Sequence, residues 1–301
     1  MENNKSRSYI IVTPCKDEGE NLPNLIQSMV EQKEKPSLWV IVDDGSTDGT
    51  PTIISNIQKK LDWVFNVTLE KRSRDIGKHY AYVCNIGFDF AIKKCKEHEI
   101  QYDYIGIVDA DMKLENEFFN KLIDEFERNP RLGIASGVEY HYDNSSKLIS
   151  EKMREDLPLG CMRLWIKKCF EDSGKYFSSD FPDSISNVIA KQNGWETKNF
   201  NHIRAIQSRQ TYSAEGLWKG YKIIGRSDYF RNYYPLYVFA KGLKYICKKP
   251  HYLGIAYWFG YMNSSLKRIE QIDNELIQKY YYQTQSQKFK EYFLRLINKK
   301  R

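Results

Sequence analysis

The chain has 301 residues, of which 41% are hydrophobic and 28% are charged, so it can bury a large core and is not a disordered chain. Its 17 glycines and 9 prolines exclude collagen-like and low-complexity proteins. The length fits one large domain, or one domain with an appendage. No apolar run approaches the roughly 18 residues that a membrane-spanning helix needs.

The net charge of +7 is unevenly distributed along the chain. Residues 204–301 contain 19 Lys and Arg against 6 Asp and Glu, a net of +13, whereas residues 1–203 contain 27 against 33, a net of −6. A basic tail behind a mildly acidic body predicts contact with an anionic partner, such as phosphates or lipid headgroups. A solvated, lysine-rich tail is the alternative.

The cysteines and the first residues indicate the compartment. The six cysteines form no CxxC pair and no zinc-ligand spacing, so we expect reduced thiols rather than a disulfide framework. Residues 1–10 lack the apolar segment of a secretory signal. These features predict a cytoplasmic protein.

Apolar runs alternate with helical periodicities in the first half of the chain. The runs are typical of strands buried on both faces and lie at 9–12, 38–42, 104–108 and 132–138. Apolar stripes at helical spacing occur at 22–30, 50–57 and 118–126. This alternation predicts an α/β protein with a mostly parallel sheet flanked by helices.

The strand signal fades beyond residue 150. Helices are predicted at 155–170 and 184–194, followed by an extended or irregular segment at 198–215. After Gly216 the chain becomes aromatic and basic, with helical patterns at 235–247, 252–265, 266–283 and 286–298. We therefore expect a helical region at 216–301.

Carboxylates follow two of the predicted strands at their carboxyl ends, where parallel sheets bind ligands. Asp43 and Asp44 end the second strand and open the turn GSTDGT, where they could hydrogen-bond a base and a ribose. An ordinary Asp-rich turn with a helix cap is the alternative. Asp109 and Asp111 follow the third strand with spacing i and i+2, so their side chains share a face. Such a pair suits Mg²⁺ or Mn²⁺.

These segments resemble the family 2 glycosyltransferases, which have a GT-A fold. The resemblance lies in VDDGSTDGT, in VDADM and in the loop TPCKDEGENL, and it covers roughly residues 8–195. In the loop, Lys16-Asp17-Glu18 stands where an aromatic residue, Asn and Glu are usual. The resemblance implies a nucleotide-sugar donor, a divalent metal, Mn²⁺ or Mg²⁺, and inversion at the anomeric carbon.

The resemblance also implies roles for individual residues. Asp44 would contact the nucleobase, Asp109 would face the ribose or the donor sugar, and Asp111 would bind the metal. Other donor-binding positions are Thr13, Pro14, Glu18 and Lys78, the last of these following Gly77. The catalytic domain would then span 1–215, with a nucleotide-sugar half at about 8–140 and an acceptor half at about 141–215.

Transfer to a hydroxyl needs a general base. Asp183 matches the position of the family's catalytic carboxylate, although Pro182 replaces the usual Glu and nearby Asp180 is a competitor. A plain helix cap is the alternative for Asp183. Further along, His202 is a candidate metal or diphosphate ligand, and Arg204 or Arg209 could offset the charge of the diphosphate.

Two uncharged aromatic runs in the tail, at 233–240 and 252–262, are followed or flanked by lysines. They are too short to span a bilayer and have the composition of interfacial helices. We expect peripheral contact with the cytoplasmic face of the membrane and a glycan or lipid-linked acceptor, and no nucleic-acid partner. A helical subdomain that packs its aromatic residues on the catalytic core is the alternative.

The predicted function is thus an inverting, metal-dependent glycosyltransferase of polysaccharide, glycolipid or glycoprotein assembly. A sugar-1-phosphate nucleotidyltransferase would carry a Gly-rich phosphate loop with an arginine directly after the first strand. The loop TPCKDEGEN has one glycine and no arginine, so this class of enzyme is disfavoured. Two alternatives stay open at this point. They are a polyprenyl-phosphate sugar synthase, and a non-catalytic scaffold that binds nucleotide sugars.

Overall fold

The computed structural model describes residues 7–70, 78–142, 147–150, 154–179, 181–208, 216–247 and 249–298. The chain divides into two units, Met1–Arg209 and Gln210–Arg301. The first unit contains a nine-stranded sheet with helices, and the described part of the second is helical. The division falls six residues before the boundary that we predicted after residue 215.

The elements of the first unit alternate between strands and helices in its N-terminal half. The strands are β1 (Tyr9–Cys15), β2 (Leu38–Asp43), β3 (Val64–Thr68), β4 (Tyr104–Val108), β5 (Met112–Leu114), β6 (Leu132–Tyr142), β7 (Leu148–Ile149), β8 (Met162–Ile166) and β9 (Glu196–Gln207). The helices are α1 (Leu22–Val30), α2 (Thr50–Gln58), α3 (Lys78–Glu97), α4 (Phe118–Arg128), α5 (Lys167–Asp172) and α6 (Pro182–Gln192).

The strands form one sheet in the order β3-β2-β1-β4-β8-β6-β9-β5, with β7 paired to β6. The run from β3 to β4 is entirely parallel. Strand β8 is antiparallel to both of its neighbours, and β9 is again parallel to β6. The predicted α/β class is therefore confirmed, and every antiparallel pair lies on the side of the sheet that runs from β4 outward through β8.

Both faces of the sheet are buried, which explains the continuous apolar runs. Along β1, Tyr9 and Ile11 pack on one side with α1 and α4, whereas Ile10 and Val12 pack on the other side with α3. A parallel strand covered on both faces has no solvent-facing position for polar residues. The two layers fix the sheet, and the loops after β1, β2 and β4 all leave at its carboxyl edge.

The helix predicted at 155–170 is wrong. Residues 162–166 form strand β8, which pairs with β4 and β6, and only Lys167–Asp172 is helical. The pairing with two strands distant in sequence outweighs the local helical pattern, because it buries all four residues at 162–165 completely. Strands β3, β5 and β7 and helix α3 also lay outside our predictions.

The described part of the second unit comprises α7 (Leu217–Phe230), α8 (Pro235–Ile246), α9 (Tyr252–Leu266) and α10 (Glu275–Asn298). Helix α7 was not predicted, and α10 replaces two predicted helices. It begins late because the side chain of Asn274 accepts a hydrogen bond from the amide of Ile277, as a helix cap does. Within the described residues, no helix is both long enough and apolar enough to cross a membrane.

Candidate active site

The loops after β1 and β2 are bound tightly to each other. The carboxylate of Asp17 accepts a hydrogen bond from the amide of Thr47 at 2.7 Å, and the amide of Gly19 donates to Asp48 at 2.9 Å. The amide of Glu18 donates to the hydroxyl of Thr50 at 2.8 Å. The turn GSTDGT therefore holds the loop after β1 in place.

Asp44 is the member of the acidic pair that lies between basic groups. Asp43 accepts a hydrogen bond from the amide of Ser46 within the turn, at 2.9 Å. The carboxylate of Asp44 instead lies 2.8 Å from Nε2 of His79 and 3.5 Å from Nζ of Lys16. Asp44 is thus a buried, doubly contacted acceptor at the end of β2.

The other donor-side residues of the first loop differ in what they offer. The hydroxyl of Thr13 accepts a hydrogen bond from Nε1 of Trp39 at 2.9 Å, so it is engaged within the buried core. Pro14 is half-buried on β1. The carboxylate of Glu18 accepts a hydrogen bond from Asn21 at 2.8 Å and is buried. Of these three, Glu18 has a charged group near the acidic residues that follow β4.

The charges of three other carboxylates act on Asp109 at the end of β4. Burial is the main cause that raises the pKa of Asp109 from 3.8 to about 7, and the negative charges of Asp111, Glu18 and Asp183 add to it. The hydroxyl of Tyr80 donates to Asp109 at 2.7 Å and opposes the shift. Such a concentration of negative charge favours a cation.

Asp109 and Asp111 are the groups that could hold a divalent metal. Oδ2 of Asp111 accepts a hydrogen bond from Nε2 of Gln207 at 3.2 Å, and the amide of Ser208 donates to its backbone oxygen. No cluster of three or more potential ligand side chains occurs in the part of the chain that the structure describes. Two carboxylates fit a Mg²⁺ or Mn²⁺ ion that takes its other ligands from phosphate oxygens and water.

Asp183 lies in the first turn of α6 and faces this acidic group. Its charge contributes to the raised pKa of Asp109 and to that of Tyr176, after burial in each case. Gly160 leaves room for it, because a Cβ there would lie 3.1 Å from the Cβ of Asp183. The competing candidate, Asp180, lies outside the described residues.

The start of α6 is held by Arg163, which sequence reasoning missed. This side chain is fully buried on β8. Its guanidinium donates to the backbone oxygens of Leu159 and Pro158 at 2.6 Å, and to that of Asp183 at 3.2 Å. It also bonds Asn187 of α6 and stacks on Trp165. Arg163 thereby fixes the backbone that carries Asp183.

Helix α3 brings two more unpredicted side chains to the site. Lys78 begins the helix, and the next residues, His79 and Tyr80, reach Asp44 and Asp109. The sequence signal for them was present, since they directly follow the Gly77-Lys78 segment that the resemblance singled out. Gly77 itself lies outside the described residues.

His202, our candidate metal or diphosphate ligand, lies beside an acidic side chain of α4. Its ring is more than half exposed and lies 3.4 Å from a carboxylate oxygen of Glu125 on α4. Strand β9 has an irregularity here, since Gly137 pairs with Phe200 and Val138 with Arg204. A Cβ on Gly137 would lie 2.6 Å from the oxygen of Ile203, so glycine permits this close approach.

Gln207, a residue of β9 that we had not predicted, contacts the carboxylate of Asp111. The guanidinium of Arg204 lies over the ring of Tyr140, at 5.6 Å from its centroid. The other candidate cation, Arg209, lies outside the described residues.

Sequence comparison identifies relatives of this chain. The family model for "Glycosyl transferase family 2" matches residues 10–169. A 4,4'-diaponeurosporenoate glycosyltransferase of Staphylococcus haemolyticus is 28% identical over 46% of this chain and 34% of its own length. A poly-beta-1,6-N-acetyl-D-glucosamine synthase of Staphylococcus epidermidis is 28% identical over 41% of this chain and 26% of its own length. The chain thus spans about a third or less of these relatives.

Comparison with solved structures identifies glycosyltransferases whose fold is similar to that of this chain. TarS residues 1–349 of S. aureus in complex with UDP-GlcNAc has a TM-score of 0.53, at 14% identity, over 72% of this chain and 64% of that one. A mannosyltransferase of Pyrobaculum calidifontis in complex with GDP-Man and Mn²⁺ has a TM-score of 0.52, at 14% identity, over 86% and 73%. The mixed sheet with its surrounding helices is a GT-A-like fold, as the resemblance implied.

Proposed function

This chain belongs to the glycosyltransferase family 2, and on that premise we propose that it transfers a sugar from a nucleotide-sugar donor to an acceptor hydroxyl with inversion. One observation carries the proposal. The carboxylate of Asp109 at the end of β4 is affected by the charges of Asp111, of Glu18 from the loop after β1 and of Asp183 from the start of α6, and the hydroxyl of Tyr80 holds it at 2.7 Å. A divalent cation would offset this negative charge and would bind the donor diphosphate there, and a base would stand beside it.

The donor half of the site suits a nucleoside diphosphate. Asp44, held by His79 and Lys16, can accept a hydrogen bond from an N–H group of the base. The neighbours TarS and the Pyrobaculum mannosyltransferase are in complex with UDP-GlcNAc and GDP-Man. Those complexes support a nucleotide-sugar donor for this chain, without indicating which base or sugar it takes.

Asp111 and Asp109 are the residues that would hold Mn²⁺ or Mg²⁺. When bound, such an ion supplies positive charge that stabilises a departing diphosphate. Gln207 orients the carboxylate of Asp111 through their hydrogen bond, and Tyr80 fixes that of Asp109. The Mn²⁺ in the Pyrobaculum complex supports the use of a divalent metal.

Asp183 is our proposed general base. The acceptor oxygen forms a bond to the anomeric carbon while the bond from that carbon to the diphosphate oxygen breaks. The diphosphate leaves with the electron pair, and the acceptor proton passes to the carboxylate of Asp183. Attack from the face opposite the leaving group inverts the configuration at the anomeric carbon.

A glycan or lipid-linked acceptor is proposed from the relatives. One of them is named for a polysaccharide and the other for 4,4'-diaponeurosporenoate. Because this chain spans only part of their lengths, the acceptor, the cytoplasmic location and peripheral membrane contact are proposals. The pathway is polysaccharide, glycolipid or glycoprotein assembly.

The sugar-transfer activity of the Asp183→Asn variant tests the catalytic part of this proposal. We expect the variant to bind nucleotide sugar like the wild type and to turn it over at least about a hundredfold more slowly, because the amide cannot accept the proton. The matched control is Asp89→Asn, because Asp89 is an exposed aspartate that pairs with Lys175 on the surface. Retained turnover by Asp183→Asn would contradict the assignment, and donor binding without turnover by the wild type would favour a scaffold.

A further inference from the structure

Helix α9 presents an apolar stripe to solvent along its whole length. Five large apolar side chains recur at i, i+3, i+7, i+10 and i+14, and each is between 43% and 81% exposed: Tyr252, Ile255, Phe259, Met262 and Leu266. This spacing places them on one side of the helix. Its opposite side is buried, so α9 is apolar all round and contains no charged residue.

The stripe continues onto α8. Leu236, Phe239 and Leu243 repeat at i, i+3 and i+7 and are each at least 43% exposed. The ring of Phe239 stacks on Trp258 of α9, with centroids 5.3 Å apart and planes 6° apart. The two rows are therefore adjacent, and together we call them the apolar face. Contiguous exposed apolar patches of this kind mark sites of association.

The charges along α7 to α9 are mainly positive. Residues 216–269 contain ten Lys and Arg, one Asp and no Glu. That single acid, Asp228, is fully buried and paired with Arg231 and Lys241. The exposed cations of the same stretch include Lys219, Lys222, Lys244, Lys249, Lys267 and Arg268, and Nζ of Lys222 lies 5.3 Å from the ring of Phe259.

We infer that the apolar face binds the surface of an anionic phospholipid membrane, with the large side chains at the level of the headgroups and the lysines on the lipid phosphates. The 15 residues of α9 extend about 22 Å, short of the roughly 30 Å hydrocarbon core, so the helix lies along the surface. A second copy of the chain fits less well, because two such faces would oppose like charges.

This inference deepens the peripheral membrane contact proposed above. It rests on the helical unit alone, so it does not depend on the proposed sugar transfer. The test is co-sedimentation of the full chain, in EDTA and without nucleotide, with two kinds of vesicle. One is pure phosphatidylcholine, and the other is an equal mixture with phosphatidylglycerol. We expect binding to the mixed vesicles, weaker binding to the neutral ones, and loss of the difference at high salt.

Variants separate the apolar and the charged contributions. Phe259→Asp and Ile255→Asp should each weaken binding about tenfold, because an apolar side chain no longer enters the interface. Lys244→Gln should weaken binding to the mixed vesicles by about fivefold and leave the neutral ones unaffected. Leu276→Asp is the matched control and should bind like the wild type, since Leu276 lies on α10 outside the apolar face and is even more exposed than Phe259 and Ile255.

Three results would overturn the inference. They are failure of the wild type to bind the mixed vesicles, equal binding by Phe259→Asp and the wild type, and a wild-type dimer that Phe259→Asp converts to a monomer. Asp111→Ala should bind vesicles like the wild type, so loss of transfer and loss of membrane binding are distinguishable. Circular dichroism and an unfolding curve, measured for each variant, check that the variant is folded.

Discussion

At the scale of single residues, Asp109 is the side chain whose burial and charge conflict most. It lies among three other carboxylates, and its pKa is raised to about 7. Between pH 3.8 and about 7 the folded protein retains a proton on Asp109 that the unfolded chain has released. Stability is therefore lost as the pH rises through this window. Metal binding, which needs the carboxylate, should weaken as the pH falls through the same window.

Asp109→Asn should stabilise the metal-free protein at about pH 8 by about 1 kcal/mol or more and have little effect near pH 4. The amide cannot ionise, and its oxygen can still accept the hydrogen bond from Tyr80. Urea unfolding in EDTA at the two pH values measures this, with Asp89→Asn as the control. A stability at pH 8 equal to that of the wild type would contradict the charge conflict.

Arg163 is a positioning residue, because it touches the backbone of Asp183 rather than the reacting groups. Arg163→Met should lower the free energy of unfolding by about 2–4 kcal/mol, since buried carbonyl oxygens lose their donors. It should also lower kcat while leaving the KM for the donor nearly unchanged. Arg163→Lys should restore part of kcat. An unchanged kcat in folded Arg163→Met would exclude the positioning role.

At the scale of elements, two glycines set the distance between α7 and α9. A Cβ on Gly225 would lie 2.0 Å from the oxygen of Tyr257, and one on Gly260 would lie 2.0 Å from the oxygen of Lys222. Both contacts are with helix backbone, which cannot move aside as a side chain can. Close packing of these helices thus depends on the absence of side chains at two points.

Gly225→Ala should therefore destabilise the helical unit by about 1–3 kcal/mol, because α7 and α9 must separate. Gly49→Ala is the matched control, since no atom lies within 4 Å of the added Cβ and its φ of −73° suits alanine. Thermal unfolding followed by circular dichroism compares the two. Equal midpoints for Gly225→Ala and the wild type would contradict the close packing.

At the scale of the whole molecule, the sequence predicted the features that one short segment determines. It missed the features that depend on pairing between distant segments of the chain. The loops after β2 and β4 are short segments whose order along the chain already places Asp44, Asp109 and Asp111 at one edge of a parallel sheet. The start of α6 also lies in one short segment, which contains Asp183. We predicted these candidates from their positions at the ends of strands together with the family resemblance.

The remaining features depend on partners far along the chain. Strand β8 forms because β4 and β6 accept it on both sides, and Arg163 has a role only once β8 lies next to α6. His202 is turned toward Glu125 by an irregularity of β9 that Gly137 permits. None of these pairings has a signature in a single sequence, so the sequence did not predict them.

The most direct test of the site is calorimetric titration of UDP and GDP into the full chain, with Mn²⁺ and with EDTA. We predict that the preferred nucleotide binds at least about tenfold more tightly with Mn²⁺, and that Asp111→Ala removes this difference. Asp89→Asn should retain it. Equal affinity with Mn²⁺ and with EDTA in the wild type, or an unchanged metal effect in Asp111→Ala, would contradict a metal-assisted diphosphate site at the end of β4.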